Sequence, residues 1–66
     1  MADYQLRFYG RKISAIGISY HHTITVSSAA ESKAEVALMA YDTHEHIHGP
    51  IHVRQLPDGN WESVRP

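Results

Sequence analysis

Four histidines crowd the middle of this chain, in His44-Glu45-His46-Ile47-His48-Gly49-Pro50-Ile51-His52, and two more, His21 and His22, precede them. Imidazole is the commonest metal ligand and the side chain that titrates nearest neutral pH. The run therefore raises two chemistries, metal binding and pH sensing. On a helix, His44 and His48 stand one turn apart and could share a divalent ion, while His46 points about 160° away from His44. On an extended segment His44, His46 and His48 align instead, with His52 beyond the Gly49-Pro50 turn. A structural zinc site wants four ligands in a tetrahedron, which Glu45 or His21 and His22 would have to complete. His44-Glu45-His46-Ile47-His48 has the letters of the metalloprotease pattern H-E-x-x-H, but a catalytic zinc needs a third protein ligand, and a site of that kind is not expected. The helical reading leaves two ligands, so zinc or nickel would be held only weakly through His44 and His48, and no resident cofactor is expected. The plainest alternative makes the run a polar helix end, with His44 packed on the sheet.

Other catalytic constellations are missing. There is no cysteine and no G-x-S-x-G elbow. The seven carboxylates are dispersed rather than paired for acid–base work. The glycines are isolated, so no phosphate-cradling loop is indicated. The chain is not expected to be an enzyme.

A second segment has chemistry of another kind. Gly10-Arg11-Lys12-Ile13-Ser14-Ala15-Ile16-Gly17 sets two cations and two isoleucines between two glycines. One reading is a hairpin loop with Ile13 and Ile16 folded back on the core. The other is a protruding loop that offers Arg11, Lys12 and Ile13 to a partner, flanked by Tyr9 and Tyr20. Loops carry binding disproportionately, and Tyr and Arg are enriched at interface hot spots. Trp61 is assigned to the core.

The elements that must position these residues follow from periodicity. Tyr4 to Tyr9 alternates, with Tyr4, Leu6 and Phe8 on one side, as in a half-buried strand. From Ile16 to Ser27 the alternation is longer, with Ile16, Ile18, Tyr20, His22, Ile24 and Val26 on one face. Gly17 is a natural kink point. Ser32-Lys33-Ala34-Glu35 fits a capping box, as does Ser28-Ala29-Ala30-Glu31 one turn earlier. The helix that follows is predicted to continue through at least His44, with a stop at Gly49-Pro50. Ile51–Leu56 predicts a third strand. Pro57-Asp58-Gly59 is a turn, and Asn60–Val64 returns as a fourth strand. The fold class is α+β: a small antiparallel sheet in β-β-α-β-β order with one helix on one face, forming a single domain over residues 1–66.

The predicted core comprises Leu6, Phe8, Ile18, Tyr20, Ile24, Val26, Leu38, Tyr41, Ile51, Val53 and Trp61. That is thin for a chain without disulfides, so self-association into a homodimer or a partner complex is expected. The net charge is −1 and the six Lys and Arg residues are scattered. A grip on nucleic acid normally needs clustered cations, so a nucleic-acid partner is not expected. No apolar run approaches the ~20 residues of a membrane span. The N-terminus lacks the pattern of a secretory signal, which gives a cytoplasmic expectation. The expected function is a small non-catalytic module that binds another macromolecule, a protein first. By size and architecture alone, the chain resembles small accessory proteins of phages and mobile elements, among them inhibitors such as anti-CRISPRs. The alternative is a histidine-rich protein that binds or senses metal or pH.

Overall fold

A computed structural model describes residues 1–65. Strand β1 (Ala2–Lys12) is the hub of a four-stranded antiparallel sheet. It is flanked by β2 (Tyr20–Ser28) on one side and β3 (His44–Gln55) on the other, and β4 (Glu62–Val64) adds a short outer rung beside β3. Between β2 and β3 the chain forms one α-helical turn, α1 (Lys33–Ala37), continued by a 3-10 turn over Leu38–Asp42. The architecture is mixed α+β and mostly sheet. The helical part is much shorter than the periodicity predicts.

The alternation read in β1 is real. Tyr4, Leu6 and Phe8 are buried beneath the helical segment, while Arg7 and Tyr9 face the other way. The helix starts where Ser32 caps it, its hydroxyl accepting the Glu35 amide at 3.2 Å. Val36, Ala37 and Ala40 then close over Leu6, Phe8, Ile51 and Val53. Small residues at 37 and 40 let the turn lie close to the sheet, so a ten-residue segment suffices to seal the core.

The expected continuation of the helix through His44 is not found. Thr43 leaves helical geometry, its amide bonds back to Ala40, and its carbonyl accepts the Ile13 amide at 2.9 Å. The chain therefore enters the sheet at His44, seven residues before the predicted third strand. Two irregularities accommodate it. Gly10 alone lies opposite both His46 and Ile47, and Phe8 alone lies opposite the stretch Gly49 to Ile51. His46 and Gly49 take positive φ at these bulges, 53° and 74°. Pro50 has no amide to donate to a ladder, which suits a bulge. Gly10 is required by close approach: a Cβ there would meet Ile47 Cγ1 at 3.0 Å and the Glu45 carbonyl at 3.1 Å.

The core is also smaller than predicted. Ile18, Tyr20, Leu38, Tyr41 and Trp61 are exposed, Ile18 to 85% and Leu38 to 60%. Ile24 and Val26 are only partly covered. The physical reason is coverage. The helical segment packs mainly against β3 and β4, and it is too short to reach across β2. The predicted second strand begins late as well, at Tyr20 rather than Ile16, because residues 13–19 form the connecting loop.

Candidate functional site

The sheet has two faces, and the histidines are divided between them. His22 and His44 lie on the helix side. Their rings meet at 4.4 Å between centroids, and His44 abuts Phe8 edge-on at 4.9 Å. Tyr20 lies against His22 at 4.2 Å. His22 donates its Nε2–H to the Gly10 carbonyl at 3.1 Å, which fixes its tautomer. His44 is buried, 6% exposed, and its Nδ1 shares a 2.8 Å hydrogen bond with Thr43 Oγ1. Burial pushes the His44 pKa below its ordinary value, and nearby His22 and Lys12 push it the same way. His44 thus belongs to the core, as a residue of the sheet itself rather than of a helix end packed on it.

His21, His48 and His52 lie on the opposite, open face. Tyr9 touches His21 at 5.1 Å and His48 at 6.3 Å, and Arg7, Trp61 and His52 complete the walls of a shallow trough of about 400 Å³. Arg54 stacks over Trp61 at 5.0 Å while its Nε donates to Gln5 Oε1 at 2.8 Å. His46 stands alone at its bulge. His44 and His48, the pair expected to share one helical face, are therefore on opposite sides of the sheet, because the segment that carries them is a bulged strand. Among the described residues, no group of three or more His, Asp or Glu side chains is arranged around a common metal position.

The residues singled out for partner binding gather at one end of the sheet without sharing one face. Tyr9 and Arg11 are on the open face, and Arg11 is tied to Glu45 at 3.2 Å. Lys12 and Tyr20 point to the helix side. Ile13 starts the loop between them and is 43% exposed. The loop itself is where sequence reasoning left two options. Its Ile16 is fully exposed and Ile18 nearly so, so Ile16 does not fold back on the core. Gly17 sits at φ 136°, open to solvent, where an L side chain would be strained. Ile16 and Ile18 are the residues that the sequence-level site omitted. Their apolar spacing matched a strand, so they read as core.

The loop and its flank expose Ile13, Ile16, Ile18 and Tyr20, next in the chain to Arg11 and Lys12. No helix among the described residues is long and apolar enough to cross a membrane. Comparison of this chain with protein-family models, with curated proteins and with solved structures finds no match.

Proposed function

We propose that the protein is a non-catalytic module that binds another protein through the loop between β1 and β2. The observation that carries this reading is the exposure of Ile16 and Ile18. A seven-residue loop gains nothing for its own fold by holding two isoleucines in water. Single exposed apolar residues are ordinary, but several exposed within one short loop favour an interaction surface. Lys12 at its base adds a cation, and Tyr20 adds an amphipathic ring of the kind enriched at interface centres. A partner with an apolar pocket rimmed by acidic groups fits this chemistry. The small size accords with an accessory or inhibitor protein that acts by occupying a surface of its target.

A photoreactive residue placed at Ile16, expressed in the native cell, tests the reading. A control goes at Leu38, which is also exposed but lies on the helical segment. The expected result is a discrete protein adduct from position 16 alone. Excess unlabelled protein should suppress it, and protein carrying Lys12→Ala and Ile13→Ala should not. Equal adducts from both positions, or suppression by the doubly substituted protein, would overturn the reading.

A further inference from the structure

The two outer strands of the sheet are treated very differently. β4 is three residues long, and Lys33 bridges to its Glu62 at 2.6 Å. β2 is nine residues long and pairs with β1 alone. Its register with β1 runs unbroken from Ala2↔Ser28 to Gly10↔Tyr20. It contains no proline and no bulge. Between Lys12 and Glu31 the chain has no Lys, Arg, Asp or Glu at all. Free strand edges are ordinarily blunted by charge, proline, a bulge or shortness, since their unpaired amides and carbonyls template another strand. β2 uses none of these devices.

We propose that β2 is the interface of a homodimer, in which two copies pair β2 against β2 antiparallel and join their sheets into one. A second copy fits this edge for three reasons. The strand is self-complementary about Ile24. A two-fold axis there sets Ile24 opposite Ile24, Val26 opposite His22, and Tyr20 opposite Ser28. On the open face it sets Thr23 opposite Thr25 and His21 opposite Ser27. At neutral pH no pair brings formal like charges together, which would be destabilising in directly opposed positions. The third reason is coverage. Ile24 and Val26 line an open groove of about 360 Å³ with Met39, left because the helical segment lies toward β3. An axis normal to the sheet places the second copy's helical segment on the same side, so two half-covered apolar strips meet and cover one another. An isologous contact of this kind closes on itself and leaves β4 as the outer edge at both ends.

The inference does not rest on the loop reading, because Ile16 lies outside the paired strand. In the dimer the two loops sit at opposite ends of the joined strands, free to engage two partner sites.

Sedimentation of the full chain across micromolar to sub-millimolar concentration is the first measurement, with a dimer expected. Thr23→Glu with Thr25→Glu puts carboxylates against each other across the axis, on a face that is exposed in the single copy and where residue 23 lies opposite Arg7 of its own β1. That variant is expected to sediment as a monomer with an unchanged circular dichroism spectrum. The chain has no cysteine, so a nitroxide on Ser27→Cys reports one site per copy. Residues 27 of the two copies lie six positions apart along the paired strands, so a backbone separation of ~20 Å is expected. A wild-type monomer throughout, a dimer that survives both glutamates, or a label distance far from this value would each overturn the proposal. A further arm separates the two proposals: Ile16→Asp should abolish partner adducts and leave the dimer intact.

Discussion

β1 has two long neighbours, and they solve the same problem in opposite ways. β3 is irregular. It carries two bulges, a proline and two positive-φ residues, and it is covered by α1 on one face and by β4 along Ile51, His52 and Val53 of its outer edge. β2 is regular, uncharged and bare along its outer edge. The irregularity of β3 has a purpose that the side chains reveal. With each bulge absorbing extra residues, His44, Ile47, Ile51 and Val53 all face the helix side, while Glu45, His48, His52 and Arg54 face the open side. Bulges thus restore a two-sided strand from a sequence that does not alternate. β2 needs no such correction, and its regularity is what leaves its edge fit for another strand.

The largest expected effect contrasts the same substitution on the two strands. Ile51 is 2% exposed, within the sealed core. Ile51→Ala should destabilise by about 2–5 kcal/mol, the usual cost of truncating a buried aliphatic with a residual cavity. Ile24 is half-covered in the single copy, so Ile24→Ala should cost roughly 1–2 kcal/mol at dilute concentration, in proportion to the area removed. Its cost should grow with protein concentration if β2 pairs with itself, because dimer stability is tied to protomer concentration. Chemical denaturation at two concentrations reads both numbers. Equal costs at high dilution would show that the two sides of β1 are equally buried.

The buried imidazole at the start of β3 gives the second contrast. His44 has its pKa depressed from the ordinary value of 6.5 by burial first, then by His22 and Lys12. The unfolded chain therefore takes up this proton before the folded one does. Stability that depends on neutral His44 is fully present above pH 6.5 and is lost as the pH falls below that value toward the folded-state pKa. Melting temperature should decline on acidification, and His44→Leu should flatten that decline by removing the group from the buried site. A slope unchanged in His44→Leu would assign the acid sensitivity elsewhere.

The cap of α1 is worth less. Ser32 is the side chain that satisfies a free amide at the start of the helical segment, and Ser32→Ala should cost about 1 kcal/mol. The loss should be felt on the β3 side, which this segment covers. Amide exchange should therefore quicken at Ile51 and Val53 more than at Thr23 and Thr25. Uniform quickening would mean that the sheet opens as one unit with no difference between its two sides.

How much of this was legible in the residues differs along the chain for identifiable reasons. β1 obeys period two without interruption, so its inward set, Tyr4, Leu6 and Phe8, reads off correctly. Ser32 is one of two capping boxes that local chemistry offers, and the structure starts the helix there rather than at Ser28. β3 is misread because bulges alter spacing. Its helix-side residues fall at 44, 47, 51 and 53, with gaps of 3, 4 and 2. The first two gaps are those of a helix face, and the Gly49-Pro50 stop signal, from which a helix through His44 is read, marks a bulge instead. Only the tertiary pairing with Gly10 and Phe8 decides otherwise. Exposure of Ile16 and Ile18 is illegible for a different reason. Their alternation matches a strand, but a strand needs a neighbour to pair with, and β1 gives way to the 13–19 loop after Lys12.

The smallest expected effect tests whether β3's bulge is tolerated or required. His46 holds φ 53°, a conformation that costs a non-glycine residue about 1 kcal/mol. Its side chain is 60% exposed and reaches only Glu45, at 4.0 Å, so little packing is lost on removing it. His46→Gly should therefore stabilise the fold, by about 0.5 kcal/mol after the added freedom of glycine in the unfolded chain is counted. The matched change in β2, Thr23→Gly, should destabilise by about 0.5–1 kcal/mol, because a regular strand position gains no relief and loses its side chain. Opposite signs for one substitution on two neighbours of the same strand is the outcome that the bulged and regular backbones require. If both variants lose stability, the His46 side chain contributes more at the bulge than its exposure indicates, and the helix-side placement of Ile47 depends on it.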